Sequence, residues 1–198
     1  MEGDVWDLYL GKTGAPKTKL PVASVLTIPA AGSEMSEASV ITNEDSGVKL
    51  GYSNNMSRPK FAIMNPRRTM TLPPYQTAAG VTDMMMHTME RYFSKDDDMD
   101  VTTDIAEALL RSIKNAVFAV LKNPEDYRYR AQIMWAGSVM HNGLTGCGQQ
   151  DDWATHQIEH ELSGMFDVTH GAGLAAIWPS WARYVMHEHM SRFVRFAV

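Results

Sequence analysis

The chain has 198 residues and a formal net charge of -5, with 18 Lys and Arg against 23 Asp and Glu. This acidic balance argues against a nucleic-acid-binding protein, and 44% hydrophobic residues argue against a disordered one. The lone cysteine, Cys147, excludes an internal disulfide and is typical of a reducing cytoplasm. The N-terminus has no apolar leader and the longest apolar run, Ala116–Leu121, is short, so we expect neither secretion nor a membrane partner.

The first third of the chain predicts short strands and turns. Val22–Ile28 is a β-branched run typical of a buried strand. Ala38–Thr42 and Val48–Tyr52 flank a polar turn that contains Gly47, which predicts a β-hairpin. Phe61–Met64 predicts one further strand.

From Thr71 onward the hydrophobic pattern becomes helical, and we place a domain boundary between residues 72 and 73. The length allows two such small domains, 1–72 and 73–198. The predicted helices are, in chain order, Tyr75–Phe93, Thr103–Lys122, a third that opens at Asn123 and ends near Gly143, Asp151–Leu162 closed by Gly164, His170–Ile177, and Trp181 to the C-terminus after a break at Pro179.

An acidic run, Asp96–Glu107, has the ligand spacing of a calcium-binding loop. Val101 stands where such loops need glycine, because a β-branched residue resists the positive φ of that turn. We interpret the run as a solvated connector that leads into a helix.

Histidines at helical spacing carry the strongest chemical signal. Asp83 and His87 are four residues apart, as are His156 and His160, so each pair shares a helix face, and His170 opens the next helix. A carboxylate with neutral imidazoles suits Fe²⁺ or Zn²⁺. Either pair alone is common on helices without a metal, and the surrounding methionines are typical of a core. Five candidates exceed the four ligands that such a site needs, so one histidine orients a ligand or moves a proton, and spacing does not say which.

Three sequence blocks resemble the iron-containing alcohol dehydrogenase family, and within it the butanol dehydrogenase and broad-range aldehyde reductase branch. They are Leu26–Glu34, Gly80–Glu90 and Asp152–Gly171. The resemblance implies an α/β plus all-α chain with a dehydroquinate-synthase-like two-domain fold: the tail of a Rossmann-like nucleotide-binding domain, then most of a helical metal-binding domain. It further implies that the metal is bound by Asp83, His87, His156 and His170. A separate catalytic histidine near the metal, His160, is then implied for proton transfer. His141, His187 and His189 match no ligand position, and we expect surface or capping roles for them.

The turn after the first strand places Gly32 and a hydroxyl where backbone N–H groups can face a phosphate. The family resemblance implies that Thr27, Gly32, Ser33 and Lys49 lie beside bound NAD or NADP. A plain turn and a solvated lysine are the alternatives. Relatives commonly carry threonine at the position of Ala31, so one hydroxyl contact is absent here.

The resemblance implies a metal-dependent, NAD(P)-linked alcohol dehydrogenase or aldehyde reductase acting on small primary alcohols and aldehydes, a homodimer at full length. Trp153, Met165, Phe166 and Met84 are candidates for an apolar substrate pocket or for core packing. The glycine-rich pyrophosphate loop of the family has no counterpart in this sequence, so we expect an internal piece of such an enzyme. Alternatives are a dehydroquinate-synthase-like or glycerol-dehydrogenase-like metalloenzyme, or an inactive helical module that binds a partner chain.

Overall fold

The computed structural model describes residues 3–94 and 99–198. Four short strands precede most of the helices: β1 (Ala23–Leu26), β2 (Ala38–Asn43), β3 (Val48–Ser53) and β4 (Phe61–Met64). The helices are α1 (Val5–Tyr9), α2 (Pro74–Tyr92), α3 (Asp100–Lys122), α4 (Tyr127–His141), α5 (Ala154–Phe166), α6 (His170–Val185) and α7 (Met190–Ala197). In the described part of the chain, no helix has both the length and the apolar character needed to cross a membrane.

The strands form two separate pairs. β2 and β3 form the expected antiparallel hairpin, with Gly47 at φ +70° in its turn. β1 and β4 pair in parallel, with Val25 opposite Ile63. The expectation that β1 is buried is wrong except at Leu26, because Val25 and Ile63 are both more than half exposed on the outer face of this pair. Only one face of the two strands meets the helices, so alternate side chains point to solvent.

The hydrophobic core lies in the helical region, among α2, α3, α4 and α6. Its most deeply buried side chains include Met84, Ile113, Met140 and Leu174. On α3 the buried residues recur at helical spacing, which gives this helix one apolar face toward α2 and α4. This core holds the middle of α2 in a fixed position.

The helix boundaries predicted at Pro179 and at Asn123 are wrong for identifiable reasons. α6 runs through Pro179 to Val185, although proline removes one backbone hydrogen bond from a helix interior. The burial of Leu174 before it and Ala182 after it keeps both halves packed on the core. α4 begins at Tyr127 rather than at Asn123, because the carboxylate of Asp126 serves as its N-cap.

Gly164 does not end α5, which continues to Phe166. A Cβ atom at Gly164 would lie 2.2 Å from the carbonyl oxygen of Gly47, so this glycine lets the hairpin turn rest directly on the helix. The helix ends instead at Asp167, which has a φ of +52°. The contact fixes the hairpin against the helix that carries two of the candidate histidines.

The acidic connector is described only in part. Residues 95–98 lie outside the described residues, and Asp100–Glu107 form the first two turns of α3. That part of the run is therefore helical.

Candidate metal centre

Three helices bring one aspartate and two histidines together. Asp83 on α2 lies with its Oδ1 atom 3.6 Å from Nε2 of His156 on α5 and 3.6 Å from Nε2 of His170 on α6. Potential ligand atoms of these three residues all lie within 4.8 Å of one another. The close approach of α6 to α2 depends on Gly171, because a Cβ there would fall 1.9 Å from the carbonyl oxygen of Ala79.

His87 lies beside this cluster, one turn after Asp83 on α2. Its Nδ1 donates to the main-chain oxygen of Asp83 at 2.8 Å and is 3.1 Å from Oδ1 of the same residue. Its ring packs 4.5 Å from that of His156 and 4.1 Å from that of His141. Because Nδ1 carries the proton in the neutral ring, Nε2 has the free lone pair. The compact donor group is thus Asp83, His156 and His170, with His87 adjacent.

His160 lies on the more open side of the cluster. Its ring centroid is 5.6 Å from that of His170 and 6.4 Å from that of His156. Burial, helped by the positive charge of Lys49, lowers the pKa of His160 to about 4. The imidazole is therefore neutral at physiological pH and can accept a proton.

Charge balances charge inside the cluster. Burial alone would raise the pKa of Asp83, but the neighbouring His87, His156 and His170 hold it well below the ordinary value of 3.8. Burial lowers the pKa of His156, but the nearby carboxylates of Asp83 and Glu90 outweigh it and raise the value to about 9. The aspartate is accordingly an ionised group in a protein interior, which is costly without a cationic partner.

Two buried atoms are suited to a cation. Among the described residues, neither Oδ1 of Asp83 nor Nε2 of His156 has a hydrogen-bond partner, although both are buried. Buried polar atoms normally have one. A carboxylate oxygen and imidazole nitrogens are ligands of divalent transition metals, so the residues fit such an ion.

Comparisons with known proteins identify the family of this chain. The model of the Fe-containing alcohol dehydrogenase family, C-terminal, matches residues 77–198, and the model for iron-containing alcohol dehydrogenase matches residues 1–66. The chain belongs to the iron-containing alcohol dehydrogenase family.

The chain is 41% identical to NADH-dependent butanol dehydrogenase A of Clostridium acetobutylicum, over 100% of this chain and 51% of that protein. It is 38% identical to an NADPH-dependent aldehyde reductase of Escherichia coli, over 89% of this chain and 46% of the relative. The crystal structure of NADH-dependent butanol dehydrogenase A from Thermotoga maritima superimposes with a TM-score of 0.97 at 39% identity, covering 100% of this chain and 49% of that one. The predicted fold class is thereby confirmed. The chain spans about half the length of the relatives it matches.

The structure also places two residues beside these histidines that sequence analysis missed. Glu90 accepts a hydrogen bond from Nδ1 of His156, and Glu159 accepts one from Nδ1 of His170. Both glutamates are essentially inaccessible to solvent. The available signal was spacing, because Glu90 lies two turns after Asp83 on one face of α2.

The residues expected at the dinucleotide have differing environments. Gly32 is buried at φ +62°, and a Cβ there would overlap the ring of His141. Thr27 and Ser33 are exposed. Nζ of Lys49 lies 3.9 Å from Oε2 of Glu159, so the lysine faces the carboxylate behind His170 rather than solvent.

The expected apolar pocket is not assembled as a group. Met84 is fully buried in the core, whereas Met165 and Phe166 are largely exposed. Trp153 alone of the four is in ring contact with the candidate ligands, 5.7 Å from His87 and 5.3 Å from His156 in the described structure.

The histidines without a ligand position have three different environments. His187 is exposed, as expected. His189 precedes α7 as its N-cap residue. His141 ends α4 but is buried rather than on the surface, because its ring packs between Gly32 and His87.

Proposed function

We propose that this chain forms the metal-binding part of an NAD(P)-dependent alcohol dehydrogenase or aldehyde reductase, which interconverts primary alcohols and aldehydes by hydride transfer. The observation that carries the proposal is the cluster of Asp83, His156 and His170, with two buried ligand atoms that lack hydrogen-bond partners in the described residues, in a family named for its iron. The names of its relatives, butanol dehydrogenase and aldehyde reductase, support that substrate class.

The proposed ligands are Asp83, His87, His156 and His170, and the ion is Fe²⁺ or Zn²⁺. Nε2 of His87 is included because its Nδ1 is already committed to Asp83. Such an ion, when bound, polarises the oxygen of the alcohol or aldehyde as a Lewis acid. Asp83 and the imidazoles would hold it at the meeting point of three helices, which keeps the reacting oxygen in a fixed position.

His160 is proposed as the group that moves the proton. It is half-buried beside His170, and its low pKa keeps it neutral, so it can take a proton from an alcohol and pass it to solvent. This role needs only proximity to the substrate and one exposed edge of the ring.

Thr27, Gly32, Ser33 and Lys49 are proposed to contact the NAD or NADP that accepts or supplies the hydride. The relatives named above use NADH or NADPH, which supports a nicotinamide cofactor but not a choice between them. We propose that residues 1–72 belong to the nucleotide-binding domain and residues 73–198 to the metal domain.

The full-length protein is further proposed to be a homodimer in the cytoplasm. The single cysteine, Cys147, is exposed and free, which suits a reducing compartment. Light scattering of the full-length protein tests the oligomeric state.

The test combines metal binding with nicotinamide chemistry. The metal-free full-length protein is titrated with Fe²⁺ or Zn²⁺, and oxidation of NADH and NADPH by butanal is followed with and without the ion. We expect stoichiometric binding and metal-dependent oxidation, both lost in His170→Ala. Metal binding with no nicotinamide oxidation would favour the dehydroquinate-synthase-like alternative, and activity that survives in His170→Ala with its metal content unchanged would overturn the ligand assignment.

A further inference from the structure

We infer that Glu90 and Glu159 are a matched pair of positioning residues, each of which fixes the tautomer and orientation of one metal-binding histidine. The inference rests on the proposed function, since it presupposes that His156 and His170 bind the ion. It goes beyond the proposed ligand set of Asp83, His87, His156 and His170, which includes neither glutamate. Each acts on the opposite side of an imidazole ring.

Glu90 holds His156 at two points. One carboxylate oxygen accepts from Nδ1 of the ring, and the other accepts from the backbone N–H of His156 at 3.1 Å. The carboxylate therefore fixes both the start of α5 and the rotation of the side chain. With Glu90 only 1% exposed, water does not compete for these bonds.

Glu159 holds His170 and is itself held. Oε2 accepts from Nδ1 of His170, while Oε1 accepts from the hydroxyl of Ser163. Lys49 approaches the same carboxylate to 3.9 Å. Gly173 leaves room for it, because a Cβ there would fall 2.7 Å from Oε1 of Glu159. Contacts with the hairpin, α5 and α6 thus hold the carboxylate in place.

The shared consequence is a defined proton position on both rings. A carboxylate that accepts from Nδ1 holds a proton on that nitrogen, so Nε2 is the nitrogen left to bind an ion. In both histidines Nε2 is the atom that faces Oδ1 of Asp83, at 3.6 Å. A carboxylate behind an imidazole also raises the basicity of the ligating nitrogen. The two glutamates therefore prepare the donor atoms before an ion arrives.

The two pairs differ in one respect that an experiment can use. Among the described residues, the carboxylate of Glu90 bonds to one side chain, that of His156. The carboxylate of Glu159 is shared among His170, Ser163 and Lys49. Neighbouring partners keep Glu159 in place when one bond is lost. We therefore expect a larger effect from changes at Glu90.

The test uses Co²⁺ as a spectroscopic probe of the metal-free protein. Glu90→Gln and Glu159→Gln keep a side-chain oxygen that can accept from Nδ1 but remove the charge, and Glu90→Leu and Glu159→Leu remove both. We expect Co²⁺ affinity to fall about 10-fold in the glutamine variants and about 100-fold in the leucine variants, with altered visible absorption of the bound ion. Glu107→Gln is the control, because this carboxylate bonds Tyr92 and Arg195 instead of a histidine.

The outcomes separate this inference from the function on which it rests. If the unsubstituted protein binds no Co²⁺, the metal centre fails and the inference fails with it. If it binds Co²⁺ and the glutamine and leucine variants keep its affinity and its spectrum, only the positioning role is overturned. Melting temperatures of the metal-free variants identify any leucine variant that fails to fold, and the glutamine variants then decide the result. An equal loss in Glu107→Gln would point to a general loss of stability and would also count against the inference.

Discussion

The two sides of α2 are equally buried and chemically opposite. One side carries Met89 and Tyr92 into the hydrophobic core, and the other carries Asp83 and Glu90 toward α5 and α6. Tyr92 and Glu90 are 0% and 1% exposed, so the difference is in chemistry rather than in access to water. Apolar side chains gain free energy from burial itself, whereas buried carboxylates need compensating partners.

This difference assigns separate tasks to the two sides. The apolar side supplies stability whether or not a ligand is present. The polar side holds its carboxylates against histidines, and its donor atoms are arranged for a cation rather than for each other. The experiments below ask whether stability and metal binding can be changed independently.

The largest expected change in stability is on the apolar side. Ile113→Ala removes a side chain that is 1% exposed in the core. Cavity formation should lower the free energy of unfolding by about 2–5 kcal/mol. Urea denaturation of the metal-free protein measures this loss. The affinity for Zn²⁺ in the folded variant should stay unchanged, and a parallel loss of metal affinity would contradict the separation.

Metal binding should stabilise the folded protein through the polar side. Zn²⁺ at about 100 times its Kd should raise the free energy of unfolding by about 2.7 kcal/mol. Thermal or urea denaturation with and without Zn²⁺ measures the gain. His170→Ala should lose most of it, while Ile113→Ala should keep it. An equal gain in the histidine variant would mean that the ion binds elsewhere.

A substitution where α6 packs against α2 should affect both stability and metal binding. In Gly171→Ala, the new Cβ would meet the backbone of α2 at Ala79, which no side-chain movement relieves. We expect a loss of about 1–3 kcal/mol from overpacking. Because α6 must shift, His170 should also move away from Asp83, so Zn²⁺ titration should show weaker binding. Gly14→Ala, at a position with open space around it, is the matched control.

The smallest expected change in the free energy of unfolding concerns Glu107 on α3, which bonds Tyr92 of α2 and Arg195 of α7. Burial would raise the pKa of Glu107, but hydrogen bonds from Arg195 and Tyr92 lower it below the ordinary 4.5. The stability that ionised Glu107 contributes to the fold is therefore present above pH 4.5 and is lost as the pH falls through its lowered pKa. Arg195→Met should cost less than about 1 kcal/mol at neutral pH, because the arginine is partly exposed.

Urea denaturation at several pH values checks the sign of this effect. The difference between Arg195→Met and the unsubstituted protein should shrink as the solution becomes more acidic than the ordinary carboxyl pKa. A difference that grows toward acid would contradict the direction assigned to Glu107.

Sequence reasoning succeeded where a local pattern determines the structure. The helical spacing of Asp83, His87, His156 and His160 placed them on two helices, and the hairpin followed from a turn containing glycine. It failed where distant packing decides. Pro179 remains inside a helix because Leu174 before it and Ala182 after it are buried against other elements.

Distant packing also explains the residues that were missed or misplaced. Nothing local distinguishes Glu159 from a solvated helix glutamate, since its partners His170 and Lys49 come from other elements. His141 has no local sign of burial either, because Gly32 and His87 reach it from other parts of the chain. The exposed outer face of β1 likewise depends on which elements cover the strand.

Because the hairpin turn rests on α5 where Gly47 meets Gly164, the number of residues between Gly47 and Lys49 determines where the lysine side chain points. The contact between the two glycines is a backbone contact, so the turn and α5 keep their relative position whatever side chains surround them. Lys49 follows Gly47 by two residues, and successive side chains of a strand alternate between its faces. One residue inserted between them would turn the lysine to the opposite face of β3. The ion pair with Glu159 would then be lost although no charged residue had been removed.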